Sequence, residues 1–87
     1  MRIEQLQAFL SVAETGSFQA AAQQCQVTQS TVSRQVQALE AELDAPLFHR
    51  GAQAKLTVAG EILLPKARRI YQDWTQVSRD IADLMAG

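Results

Sequence analysis

The sequence predicts a mainly α fold, a winged helix-turn-helix with a small β-hairpin wing and a long C-terminal dimerisation helix. Three observations carry that expectation. Apolar residues recur at helical spacing in three consecutive segments, separated only by Thr15-Gly16 and by Gln26-Val27-Thr28. A short basic stretch with a glycine, Arg50-Gly51-Ala52-Gln53-Ala54-Lys55, lies between two apolar runs. Beyond it a heptad seam continues almost to the end of the chain.

The first segment runs from Ile3 to Glu14, with Leu6, Phe9, Leu10 and Ala13 on one face. Thr15-Gly16 ends it, glycine being the usual residue just past a helix end. Ser17 then has the chemistry of an N-cap. Phe18, Ala21, Ala22 and Cys25 form the apolar face of a short second helix, whose alanines let another helix come close. Val27 is expected between the helices. Thr28 and Ser30 are both able to cap the third helix.

The third helix, about 28–43, has two unlike faces. Val32, Val36, Leu39 and Leu43 follow at steps of four, three and four and face a core. Gln29, Ser30, Ser33, Arg34 and Gln37 lie opposite, and Thr31 stands beside them. These amide, hydroxyl and guanidinium groups suit hydrogen bonding to base edges and phosphates. An ordinary solvated face would mix Glu and Lys in pairs. The competing reading is a plain amphipathic helix with an uncharged surface. As the second member of a helix–tight turn–helix pair, this helix is the one that enters a major groove, N-terminal residues leading.

The helix ends near Asp44-Ala45-Pro46, because the residue before proline is pushed out of the α region. A hairpin is then expected, with Leu47 to Arg50 going out and Lys55 to Thr57 returning. Beside a recognition helix such a hairpin is a wing for the adjacent minor groove or backbone, although an exposed loop with two solvated charges reads the same way. His49 has no second ligand at a useful spacing and reads as a surface or phosphate-contacting residue, not a metal ligand.

Thr57 caps the last helix, Val58 to about Met85. Leu63, Ala67, Ile70, Trp74, Val77, Ile81 and Leu84 recur at alternating steps of four and three, a seam that a second copy of the chain would cover. Pro65 is expected to bend the helix or mark its exit from the globular part. Lys66, Arg68 and Arg69 either touch phosphates or form a solvated basic face.

Composition sets the outer limits. At 87 residues the chain is one small domain, divided at 1–58 and 59–87 into a DNA-binding unit and a linker helix, and small enough to gain from a partner. One cysteine excludes an internal disulfide and a thiolate metal cage, and no cofactor is expected. The opening residues do not form a signal peptide, no run approaches membrane-spanning length, and the expected location is the cytoplasm. Net charge is −1. Residues 1–70 hold seven basic against six acidic groups, whereas residues 71–87 hold Arg79 against Asp73, Asp80 and Asp83. DNA affinity must therefore come from local placement, not a bulk positive field. The rival class is a helical dimer using the polar face to hold a protein. No convergent acid, base and nucleophile set supports an enzyme.

Nearly the whole chain resembles the N-terminal DNA-binding domain of LysR-type transcriptional regulators. The resemblance is carried by Leu6-Gln7-Ala8-Phe9, Gly16-Ser17-Phe18-Gln19-Ala20-Ala21-Ala22 and Val27-Thr28-Gln29-Ser30-Thr31-Val32-Ser33-Arg34-Gln35-Val36. It continues through Leu39-Glu40-Ala41-Glu42-Leu43, Leu47-Phe48-His49-Arg50 and Leu56-Thr57-Val58-Ala59-Gly60-Glu61. It implies double-stranded DNA as partner, an interrupted palindrome with A/T-rich flanks, and a homodimer through antiparallel C-terminal helices. In a full-length protein it implies an effector-binding domain beyond these residues, and it leaves open whether two such dimers form a tetramer. Carried over by position, Gln29 and Ser33 read bases. Ser30, Thr31 and Arg34 contact phosphate or neighbouring bases, Arg50 and Lys55 serve the wing, and Gln37 and Gln53 complete the expected DNA-binding set. Asp44 stands where the family usually has glycine, which makes a left-handed turn harder and opposes a nearby phosphate. Ser30 stands where proline is common, and the wing is poor in arginine.

Overall fold

The order of elements follows from where the chain can end each helix. The computed structural model describes residues 1–49 and 51–87 and contains α1 (Ile3–Thr15), α2 (Phe18–Cys25), α3 (Gln29–Leu43), β1 (Phe48–His49), β2 (Lys55–Leu56) and α4 (Val58–Ala86). The mainly helical winged helix-turn-helix expected from the sequence is what is observed. Gly16 closes α1 in the left-handed region at φ 73°, and its N–H donates to the Val12 carbonyl at 2.8 Å. One residue later the Ser17 hydroxyl accepts the Ala20 N–H at 3.1 Å and starts α2. Two residues thus stop one helix, turn the chain and begin the next.

The α2–α3 connection departs from expectation. Gln26 takes the left-handed conformation at φ 59°, and the Val27 N–H donates back to the Ala22 carbonyl at 3.0 Å. That cap fixes the backbone and turns Val27 outward, so it is exposed rather than buried between the helices. Ala21, Ala22 and Val32 belong to the buried core instead. Of the two candidate caps for α3, Thr28 serves, its Oγ1 accepting the Thr31 N–H at 3.1 Å.

Val32, Val36 and Leu39 are buried as expected, but Leu43 is exposed. The Met1 ammonium donates to Glu42 Oε1 at 2.9 Å, which places the start of α1 level with the end of α3. Leu43 therefore overshoots the helix it was meant to face. Asp44 ends α3 at φ 54°, a left-handed position that a short polar side chain tolerates better than most.

One core joins all elements. Leu6, Phe9 and Val12 of α1 meet Leu39 of α3, Leu47 before the hairpin and Ala67 of α4. Phe48 is the link to the wing. Its ring lies 5.4 Å from Phe9 and 5.7 Å edge-on from Phe18, centroid to centroid. Ser11 is the one buried polar side chain in this body among the described residues, and its hydroxyl donates to Gln24 Oε1 at 2.7 Å.

The hairpin pairs Phe48 with Leu56 and His49 with Lys55, antiparallel. Its strands are shorter than expected, and Arg50, expected at the end of the outgoing strand, lies outside the described residues. Two-residue strands do not hold themselves. Tethers do it here. The Leu47 N–H donates to Glu40 Oε2 at 2.7 Å, the Thr57 N–H to the Leu47 carbonyl at 3.0 Å and the Ala54 N–H to the Gly16 carbonyl at 3.1 Å. Thr57 Oγ1 donates to the Pro46 carbonyl at 2.7 Å and accepts the Gly60 N–H at 3.1 Å, capping α4.

Helix α4 runs unbroken for 29 residues through Pro65 and sets the 49 Å long dimension of the molecule. Pro65 does not mark its exit, because Ala67, two residues further on, is still 0% exposed. This corrects the first part of the seam. Leu63 and Ala67 pack into the chain's own core, since α1 lies against that face. Ile70, Trp74, Val77, Ile81 and Leu84 are exposed.

Candidate nucleic-acid interface

Three elements converge on one side of the body. Gln29, Ser33 and Gln37 follow at i, i+4 and i+8 along α3 and share a row. That row lines one wall of a cleft of about 850 Å³. Ser17 and Gln19 at the start of α2 line another part. The hairpin contributes His49, Gly51, Ala52 and Ala54. Phe48 against Phe9 and Phe18 and the Ala54–Gly16 bond set the hairpin's distance from α3. The cleft is thus built by the core and is not a product of loop conformation.

The remaining candidates divide into two groups. Ser30 and Arg34 are exposed on a neighbouring row of α3 and do not line the cleft. Thr31 is half-buried and its hydroxyl is already engaged, 2.8 Å from Thr28 Oγ1 and accepting from Arg34 Nη2 at 3.3 Å. Thr31 is thus tied into the start of the helix and holds the guanidinium there. Gln53 and Lys55 are exposed on the hairpin, away from the cleft wall. Arg50 falls outside the described residues.

Sequence reasoning passed over three residues of this face. Gln19 was available as a polar residue in the first turn of the leading helix, just after the Ser17 cap. Ser17 itself was assigned only as that cap. Glu40 gave a subtler signal, because it continues the Gln29–Ser33–Gln37 side of α3. The cleft therefore does contain an acid, but that carboxylate is spent on the Leu47 N–H. It anchors the hairpin instead of facing a partner freely.

A family model described as "Bacterial regulatory helix-turn-helix protein, lysR family" matches residues 3–61. The chain belongs to the lysR family. Among its relatives, a "Probable nitrogen assimilation transcriptional activator" of Synechocystis sp. (strain ATCC 27184 / PCC 6803 / Kazusa) is 64% identical over all 87 residues. A protein of the same description from Synechococcus elongatus (strain ATCC 33912 / PCC 7942 / FACHB-805) is 58% identical over the same span. The chain covers 28% of the length of each. Among solved structures, the "BenM_DBD/catB site 1 DNA Complex" superposes with a TM-score of 0.92 at 31% identity, covering 100% of this chain and 99% of that one. The "CbnR_DBD-DNA complex" does so with 0.85 at 40% identity, covering both chains completely. Among the described residues no helix is long and apolar enough to cross a membrane.

Proposed function

We propose that this lysR-family chain is the sequence-specific double-stranded DNA-binding domain of a transcriptional regulator, acting in the cytoplasm as a homodimer. The observation that carries the reading is the Gln29–Ser33–Gln37 row beside the hairpin cleft, in a fold shared with two proteins solved as DNA complexes. Helix α3 enters the major groove, where Gln29 and Ser33 contact base edges; a glutamine amide suits the N6/N7 edge of adenine. Ser30, Thr31, Arg34 and Gln37 hold the adjacent backbone or neighbouring bases. Gln53 and Lys55 serve the wing at the next minor groove, and Arg50 is assigned to it by the family resemblance alone. Residues 1–58 form the reading unit. Residues 59–87 form the linker, with Ile70, Trp74, Val77, Ile81 and Leu84 as the dimer contact. The target is an interrupted palindrome with A/T-rich flanks. In the full-length protein an effector-binding domain follows.

The test is selection of bound DNA from a random pool at two salt concentrations. Enrichment of an inverted repeat, with affinity falling steeply as salt rises, is the expected result, since neutralised phosphates release counterions. Failure to enrich any sequence at either salt overturns sequence-specific recognition by this chain.

A further inference from the structure

Arg34 carries the one positive charge of α3, and no acid stands one turn away from it. The neighbouring places on the helix surface are Ser30, Thr31, Gln37 and Ala38, where a solvated helix commonly sets a carboxylate as partner. The one ion pair among the described residues joins the Met1 ammonium to Glu42. Arg34 is held by a neutral group instead. Its Nη2 donates to Thr31 Oγ1 at 3.3 Å, and Thr31 Oγ1 lies 2.8 Å from Thr28 Oγ1. Thr28 Oγ1 also accepts the Thr31 N–H at 3.1 Å, the bond that caps the helix. Thr31 is half-buried, whereas Thr28 and Arg34 are exposed. A guanidinium only donates, so Thr31 Oγ1 accepts at that contact. Accepting from a cation polarises the hydroxyl and makes its own hydrogen the better donor, which sends that hydrogen to Thr28. The bonds therefore run from Arg34 through Thr31 to the cap, all within the first turns of α3.

We infer that Thr31 is a positioning residue for DNA binding: it presents the Arg34 guanidinium to the duplex through this bond and does not itself touch the nucleic acid. This rests on the DNA-binding reading above and refines the part given there to Thr31. The hydrogen of its hydroxyl is committed to Thr28 and a lone pair to Arg34, which leaves it little to offer a base or a phosphate. What it supplies is order. A long side chain loses rotamer freedom when a ligand fixes it, and here part of that loss is met before the ligand arrives. The identity of the holding group matters as well. A carboxylate at position 30 or 31 would fix Arg34 more firmly, but it would neutralise the guanidinium and compete with phosphate for it. An apolar residue at 31 would leave the guanidinium without a hold. A hydroxyl orients the charge without spending it, and the rest of the donor fork stays available for an anionic acceptor.

A double-mutant cycle in competition binding tests this, on a duplex carrying the inverted repeat selected as described above. The chains compared are wild type, Thr31→Val, Arg34→Ala and the two changes together. Valine keeps the shape of threonine and loses the hydroxyl, and the cap bond survives because it uses the Thr31 backbone N–H. Thr31→Val is expected to weaken binding about threefold to tenfold, the size of the ordering cost of one long side chain. On the Arg34→Ala background the same change is expected to have no effect, a coupling that a merely structural role for the hydroxyl would not produce. Thr31→Ser returns the hydroxyl and is expected to recover the lost affinity. Where valine lowers the urea midpoint, Thr31→Ala, the better helix former, takes its place in the cycle with the same expected loss. Equal losses on both backgrounds overturn positioning, because Thr31 then acts without Arg34. Wild-type affinity in Thr31→Val overturns the hold itself. In both of these cases the wild-type chain still binds the repeat, and the DNA-binding reading stands. A wild-type chain that selects no repeat removes that reading, and this inference with it.

Discussion

Gly60→Ala is the substitution for which the structure and helix propensity give opposite signs. Gly60 lies in the first turn of α4, and alanine is the better helix former there by about 1 kcal/mol. The added methyl, however, meets the backbone carbonyl oxygen of Leu47 and comes within 2.8 Å of Leu56 Cδ2. The carbonyl is not a flexible group. It accepts the Thr57 N–H at 3.0 Å, and Leu47 is completely buried. To make room, the helix and the start of the hairpin must separate. Overpacking of this kind costs about 1–3 kcal/mol, and a stretched Thr57–Leu47 bond adds about 1 kcal/mol. Set against the propensity gain, the net is destabilisation of about 1–3 kcal/mol. For a domain of this size each 1 kcal/mol lowers the melting temperature by about 4–8 °C. Thermal unfolding followed by circular dichroism, at one fixed protein concentration because a dimer's stability depends on it, is the assay. The expected drop is about 10 °C, with weaker DNA binding by the remaining folded protein as the hairpin moves. An unchanged or higher melting temperature would refute the reasoning and show that the Leu47 carbonyl yields at no cost.

Four further outcomes are expected. Glu40→Ala leaves the Leu47 N–H without its carboxylate and lowers stability by about 1–3 kcal/mol in urea unfolding, with Glu40→Gln intermediate; equal midpoints for all three chains would mean that water replaces the bond. Thr28→Ala removes the cap of α3 and costs about 1 kcal/mol, read from the same urea midpoint. Gln29→Ala relaxes preference at one base pair by about 1–3 kcal/mol in competition binding, whereas uniform weakening on all sequences would assign Gln29 to backbone contact. Trp74→Ala weakens the dimer by about 2 kcal/mol or more in sedimentation equilibrium, as for a buried aromatic anchor, and an unchanged dimer would take Trp74 out of the contact.

How much of this was legible depended on whether the signal was local. The Gly16 stop, the Ser17 cap and the Thr57 cap each rest on a side chain or backbone acting within four residues, and the sequence states them plainly. The polar row of α3 was legible for the same reason, since helical periodicity alone places Gln29, Ser33 and Gln37 together. What faces that row was not. Phe48 packing on both Phe9 and Phe18, and the Ala54 N–H reaching the Gly16 carbonyl, join residues far apart in the chain. No pattern in the sequence announces those contacts, so Gln19 and the far wall of the cleft went unassigned. Leu43 and Val27 failed differently. Their spacing or polarity was apolar, but burial needs an opposing surface. Neither the start of α1 nor the α2–α3 turn supplies one.

The seam on α4 shows why periodicity alone could mislead. Leu63, Ala67, Ile70, Trp74 and Val77 do satisfy a heptad, and nothing in the sequence marks a change of partner along it. Yet α1 takes the first of these positions and leaves the later ones free, so a single apolar pattern serves two surfaces in succession. The same division explains why Pro65 is tolerated. It sits where α4 is still held by the body, so the lost backbone bond falls in a segment whose direction is set by the packing of Leu63 and Ala67 on either side. The helix can therefore project without a break from a base that the hairpin tethers already fix. That rigidity is what a dimer must have if the spacing of its two recognition helices is to match two half-sites on a duplex.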